Sequence, residues 1–223
     1  MEKKMSRRDF LKASVATGAI LSMTSNISLA HAAKPIQLSK PQLGSGNSLM
    51  QLLWKRMSSR EFSPEPLPVE VLSNLLWAGF GINRPDGKRT APSALDWHDI
   101  DIYVILSSGL YLYDAKTNQL KLILAKDLRG LAGTQPYVKE APVNLIYVSD
   151  YAKLGVSDEL KILFSGAHAG FISENVYLYC ASEGLATVVR AYMDIPALSK
   201  VMKLRPDQKI ILGQSVGYPK KTS

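Results

Sequence analysis

Arg56, Ser58 and Arg60 offer two guanidinium forks and a hydroxyl on one turn of chain, the donors that hold a phosphate. The same residues can instead close a helix end or pair with Glu61 and Glu65. Gly213-Gln214-Ser215-Val216-Gly217 fits the G-x-S-x-G nucleophile elbow, but that fold needs an acid and then a histidine later in the chain. Only six residues follow, with neither, so a serine hydrolase is excluded. Gly44-Ser45-Gly46 lacks the third glycine of a dinucleotide fingerprint and follows no strand. Gly166-Ala167-His168-Ala169-Gly170 lies inside a helical pattern, where small residues allow close helix packing. The single cysteine, Cys180, falls on an apolar helix face and belongs in the core. One cysteine builds no disulfide framework, thiolate zinc site or iron–sulfur cluster. His31, His98 and His168 stand at no metal-ligand spacing, so no metal is expected.

Positioning these residues falls to a chain of 223 residues, enough for one ordinary domain, with 46% hydrophobic and 21% charged residues. The formal net charge is +8, from 27 basic and 19 acidic residues. Residues 1–32 hold five of those bases and two of the acids, which leaves 22 against 17. That bias favours an anionic ligand and is too small to argue for nucleic acid. Ser6-Arg7-Arg8-Asp9-Phe10-Leu11-Lys12 is a twin-arginine export signal. An uncharged stretch runs from Ala13 to Ala30 and ends in the small-x-small cleavage box Ala30-His31-Ala32. Its length approaches a bilayer span, but weak hydrophobicity and the box favour removal over anchoring. This route exports proteins already folded, commonly with a cofactor inside. The expected division is residues 1–32 as signal peptide, 33–47 as linker and 48–223 as the folded domain.

The spacing predicts helices over 48–56, 68–78 (stopped by Gly79), 158–182 (N-capped by Ser157) and from the Asp194 cap to Met202. Alternation predicts a meander of 100–106, 110–113 and 120–124, then strands at 143–149, 186–192 and 209–216. The class is α+β.

Three ordered segments resemble the binding site of the nitroreductase-type FMN flavoproteins. Arg56-Met57-Ser58-Ser59-Arg60-Glu61-Phe62 is similar to the family's R-x-S-x-R-x-F motif after the first helix. Ala91-Pro92-Ser93-Ala94 matches its P-S-A segment, and the helix Gly166–Ser182 with Asn175 runs into Gly184–Ala191 as in the family. Leu76–Arg84 and Gly109–Asp114 resemble the branch of azoline-forming dehydrogenases. The resemblance implies a mostly antiparallel sheet flanked by helices, a homodimer, and FMN in two interface clefts. It implies that Arg56, Met57, Ser58 and Arg60 hold the phosphate, with Lys220 or Lys221 in a C-terminal contact. Pro92, Ser93 and Ala94 would meet the pyrimidine edge, and the backbone of Val189, Arg190 and Ala191 the N5 side. Relatives often carry Asn or a small residue after P-S-A. Here Leu95-Asp96-Trp97-His98 follows, and Asp96 can accept from flavin N3–H.

The function implied is an exported FMN-dependent oxidoreductase that moves a hydride through flavin N5 to or from a small organic substrate. The cofactor carries the reaction, so no catalytic acid or base is required. The electron donor is NAD(P)H or a membrane redox partner. Alternatives are a non-catalytic flavin-binding electron carrier and a peptide azoline dehydrogenase, which would need a partner cyclase.

Overall fold

The computed structural model describes residues 35–41 and 46–221, so the export signal and its cleavage box lie outside the described residues. Seven strands form one sheet: β1 Ile36–Gln37, β2 Ile100–Leu106, β3 Gly109–Asp114, β4 Gln119–Leu124, β5 Val143–Asp150, β6 Ala186–Arg190 and β7 Gln208–Gly217. Their order is β1-β4-β3-β2-β5-β7-β6, and every pairing is antiparallel. Part of the expected linker is therefore sheet. Ile36 and Gln37 pair with Leu120 and Gln119, and Leu38 is buried. Two residues are too short for any period to reveal them.

The period of two in β2 sorts side chains to two cores. Ile100, Ile102 and Val104 join one cluster with Leu145, Tyr147 and Val216, while Tyr103 and Ile105 join another with Ile146, Val148 and Leu198. The first cluster is roofed by helices α2 Val69–Phe80 and α4 Asp158–Glu183. The second is closed by α3 Pro136–Glu140 and α5 Ile195–Met202. Helix α1 Leu49–Lys55 begins in a capping box of Ser48 with Gln51, yet buries none of its residues.

Gly79 does not stop α2, which continues to Phe80. A Cβ there would meet Val176 Cγ2 of α4 at 3.1 Å, so this glycine lets two helices approach. The glycines expected to serve that purpose, Gly166 and Gly170, have nothing within 4 Å of an added Cβ. Helix α4 ends at Gly184, which takes the left-handed φ of +67°. β6 ends at Arg190 rather than Tyr192.

Candidate functional site

The segment carrying Arg56, Ser58 and Arg60 leaves α1 and runs beside the edge strand β6, where Ser59 donates its N–H to Thr187 O at 2.9 Å. The chain's end lies along the same segment: Phe62 bridges Pro219, and Lys220 donates its N–H to Glu61 O at 3.2 Å. Two of the expected site segments and the Lys220–Lys221 tail therefore converge. Arg56 is half-buried, with its guanidinium 5.3 Å from the Tyr177 ring centroid. Arg60, Met57 and Ser58 are exposed. Neither arginine forms an ion pair with Glu61 or Glu65.

Tyr177 of α4 ties the segment to β6. Its hydroxyl accepts the Val189 N–H at 2.9 Å and stands 2.8 Å from Ser58 Oγ. The Val189 N–H, expected to face a flavin, is thus already engaged. Arg190 turns inward, donating to Ser215 Oγ, Asn144 Oδ1 and Ala132 O, and burial pushes its pKa down to about 10. It has no carboxylate partner among the described residues. Of the trio 189–191, Ala191 alone is exposed.

Pro92–Asp96 forms a separate cluster. Ala94 donates its N–H to His168 Nε2 at 2.9 Å, so the ring proton sits on Nδ1 and is given to Asp99 Oδ1 at 2.6 Å. Asp99, fully buried, also accepts from Ser149 Oγ at 2.6 Å. Ser93 Oγ accepts the His98 N–H at 3.1 Å, which leaves the serine's own proton available. Leu95, Asp96 and His98 all take left-handed φ, 48°, 53° and 45°, without being glycine. Such strain costs roughly 1–3 kcal/mol per residue and gathers at functional loops. It presents Leu95 at 84% exposure. Asp96, also exposed, stands 3.8 Å from Lys88 Nζ.

His168 and Tyr177 sit nine residues apart on α4, about 13.5 Å along the axis and half a turn round. One helix thus anchors both clusters at opposite edges of its buried face. A cavity of about 720 Å³ is lined by Phe62, Glu65, Glu140, Lys220 and Lys221 but by neither arginine. Arg60 and Leu95 lie on exposed surface, and Arg56 is half-buried beside it.

Residues 53–218 match the sequence model described as the Nitroreductase family. The chain belongs to the nitroreductase family. Residues 4–24 match the twin-arginine translocation pathway signal sequence, so the protein is addressed for twin-arginine export. No helix among the described residues is long and apolar enough to cross a membrane. A nitroreductase structure from Ralstonia eutropha JMP134 is 42% identical, with a TM-score of 0.81 over 87% of this chain and 93% of that one. A Methanocaldococcus jannaschii protein named as a nitroreductase is 30% identical over 169 residues, 70% of this chain and 85% of its own. The NADPH:FMN oxidoreductase of Vibrio harveyi, solved with NAD+, shares the fold at 21% identity and a TM-score of 0.58, over 77% of this chain and 69% of that one. Nitroreductase-family proteins are usually flavin-dependent oxidoreductases.

Sequence reasoning missed Tyr177, His168 and Asp99. The available signal was a histidine set among glycines and alanines on a helix, which reads equally as packing.

Proposed function

We propose that this nitroreductase-family protein is an exported, periplasmic FMN-dependent oxidoreductase acting on a small organic substrate as a homodimer. The carrying observation is the convergence of Arg56, Ser58, Arg60 and the Lys220–Lys221 backbone on one open surface. That donor set fits a flavin mononucleotide phosphate: one exposed and one half-buried guanidinium fork, a hydroxyl beside Tyr177, and the Lys220–Lys221 pair. When bound, FMN supplies two-electron hydride transfer at N5.

The chain's residues bind, orient and polarise. Arg60 and Arg56 hold the phosphate, and Met57 and Ser58 line it. Ser93 keeps a free hydroxyl proton to donate to the pyrimidine edge, where negative charge grows on reduction, whereas Ala94 spends its N–H on His168. The exposed Ala191 is the member of its trio left to face N5. Arg190, a buried cation without a carboxylate partner among the described residues, adds positive potential at the end of β6 beside Ala191. The anchored loop arrives preformed, so ordering it costs nothing at binding.

Homodimer formation is supported by the apolar surface of α1 and by Leu160, Leu163 and Phe171 of α4, all exposed. The azoline-dehydrogenase reading keeps one observation in its favour: the two motifs that suggested it, Leu76–Arg84 and Gly109–Asp114, meet around one cavity through Phe80, Tyr113 and Asp114.

Free NAD(P)H is not a periplasmic pool, so the donor is a membrane redox partner or the substrate itself. Anaerobic titration of the purified yellow protein tests this. A quinol should abolish the flavin's visible absorbance at stoichiometric addition, and an added nitroaromatic acceptor should then restore it over many cycles. Restoration in a single cycle without steady-state turnover would favour the electron carrier.

A further inference from the structure

A second cavity, of about 400 Å³, opens between the end of α2, the strained loop and the β3–β4 hairpin. None of the residues assigned to flavin binding lines it. Its wall holds an unexplained pair of donors. Tyr113 of β3 is 8% exposed, and its hydroxyl is buried without any hydrogen-bond partner. Burial pushes its pKa up to about 12, so it stays a neutral O–H donor, with the charges of Arg89 and Asp114 acting on it in opposite directions. Arg89 lies 4.8 Å over the Phe80 ring and donates one N–H to Phe80 O at 3.0 Å, while its Nε–H is buried without a partner. Arg89 forms no ion pair among the described residues. Leaving a buried donor unpaired is unfavourable, and the two residues that carry these donors line one chamber.

The charge of the chamber narrows the acceptor. Four cations line it, Arg89, Lys116, Lys121 and Lys153, against two acids, Asp101 and Asp114. Lys121 pairs with Asp114 at 2.6 Å and Lys153 with Asp101 at 3.9 Å. Arg89 and Lys116 remain uncompensated, a net demand for two negative charges. The size suits a small polar molecule. We propose that this cavity is a binding site for a small dicarboxylate, one carboxylate accepting from Arg89 Nε–H and Tyr113 O–H and the other lying toward Lys116. Trp97 and His98 of the strained loop also line the chamber, so an occupant touches the element that the flavin site uses. The site is independent of the flavin reading.

The test is calorimetric titration of succinate into the purified protein at constant ionic strength, with acetate as the monocarboxylate control. Saturable one-to-one binding of succinate, and far weaker binding of acetate, is expected. Tyr113→Phe removes only the unpartnered hydroxyl, so the fold should hold while succinate affinity falls about tenfold. Lys116 is exposed, and Lys116→Ala should weaken succinate severalfold without touching the core. No saturable heat up to about 10 mM would overturn the proposal and assign the two donors to trapped water. So would equal binding of acetate, or affinities unchanged in both variants.

Discussion

Arg60 is the cleanest side chain on which to test phosphate binding, because it is exposed and forms no ion pair among the described residues. Arg56 also stacks on Tyr177, so its removal would disturb packing as well. A charge-assisted hydrogen bond contributes roughly 1.5–3 kcal/mol, so Arg60→Ala should weaken FMN about ten- to a hundredfold. Riboflavin, which has no phosphate, should bind almost as before, and equal losses for both ligands would defeat the assignment. His168 calls for a different variant. His168→Phe keeps a ring that can stack on Phe164, now 6.0 Å away between centroids, yet loses the bonds to Ala94 and Asp99. The Ala94 N–H then loses its acceptor and the buried Asp99 carboxylate keeps only Ser149 Oγ, at a cost of roughly 3 kcal/mol. Urea unfolding measures it. A variant as stable as the parent would show that the histidine does not anchor the loop.

At the scale of elements, the strained loop is a device with opposed effects on fold and function. Leu95 at φ 48° sits where asparagine is tolerated and leucine is not. Leu95→Asn should therefore stabilise the protomer by about 1 kcal/mol, while flavin affinity falls because an exposed apolar contact is lost. A stability gain with full flavin affinity would reduce Leu95 to an accident of the backbone. No residue type announces this strain, since Leu95 carries no turn signal. The neighbouring elements were legible for physical reasons. The apolar run of Ile100–Leu106 follows from a strand buried on both faces, and the stripe of Leu72, Leu75 and Leu76 from a helix roofing the sheet. Gly79 was misread because close helix approach and helix termination favour the same residue. β1 was missed because two residues show no period, and α3 because five residues after Gln135 look like loop. Residues 56–60 stand out as a candidate phosphate segment because they are contiguous. The His168–Asp99–Ser149 chain draws on three distant segments that only the fold assembles.

At the scale of the whole molecule, the twin-arginine address and the half-open site make one argument. If the protein carries FMN as proposed, export after folding requires the cofactor site to be assembled before the chain crosses, and a site open on one side would have to be closed by then. Helix α1 shows where. Its seven residues bury no side chain, and a helix this short is not stable by itself in water. It presents Leu49, Met50, Leu53 and Trp54 to solvent, with Trp54 90% exposed, directly ahead of Arg56. On the proposed reading, this apolar face is the one a homodimer covers, and covering it would fix the segment proposed to hold the phosphate. Trp54→Glu should then leave the protomer's core intact, because that side chain touches almost nothing within it. Light scattering should show the mass of the flavin-loaded protein halved at working concentrations, and flavin retention on gel filtration should fall with it. Adding protein should restore both together, since dimer and site would share one equilibrium. A Trp54→Glu variant that remains dimeric, or one that becomes monomeric yet keeps its flavin, would separate the apolar face from the site and sink the interface reading.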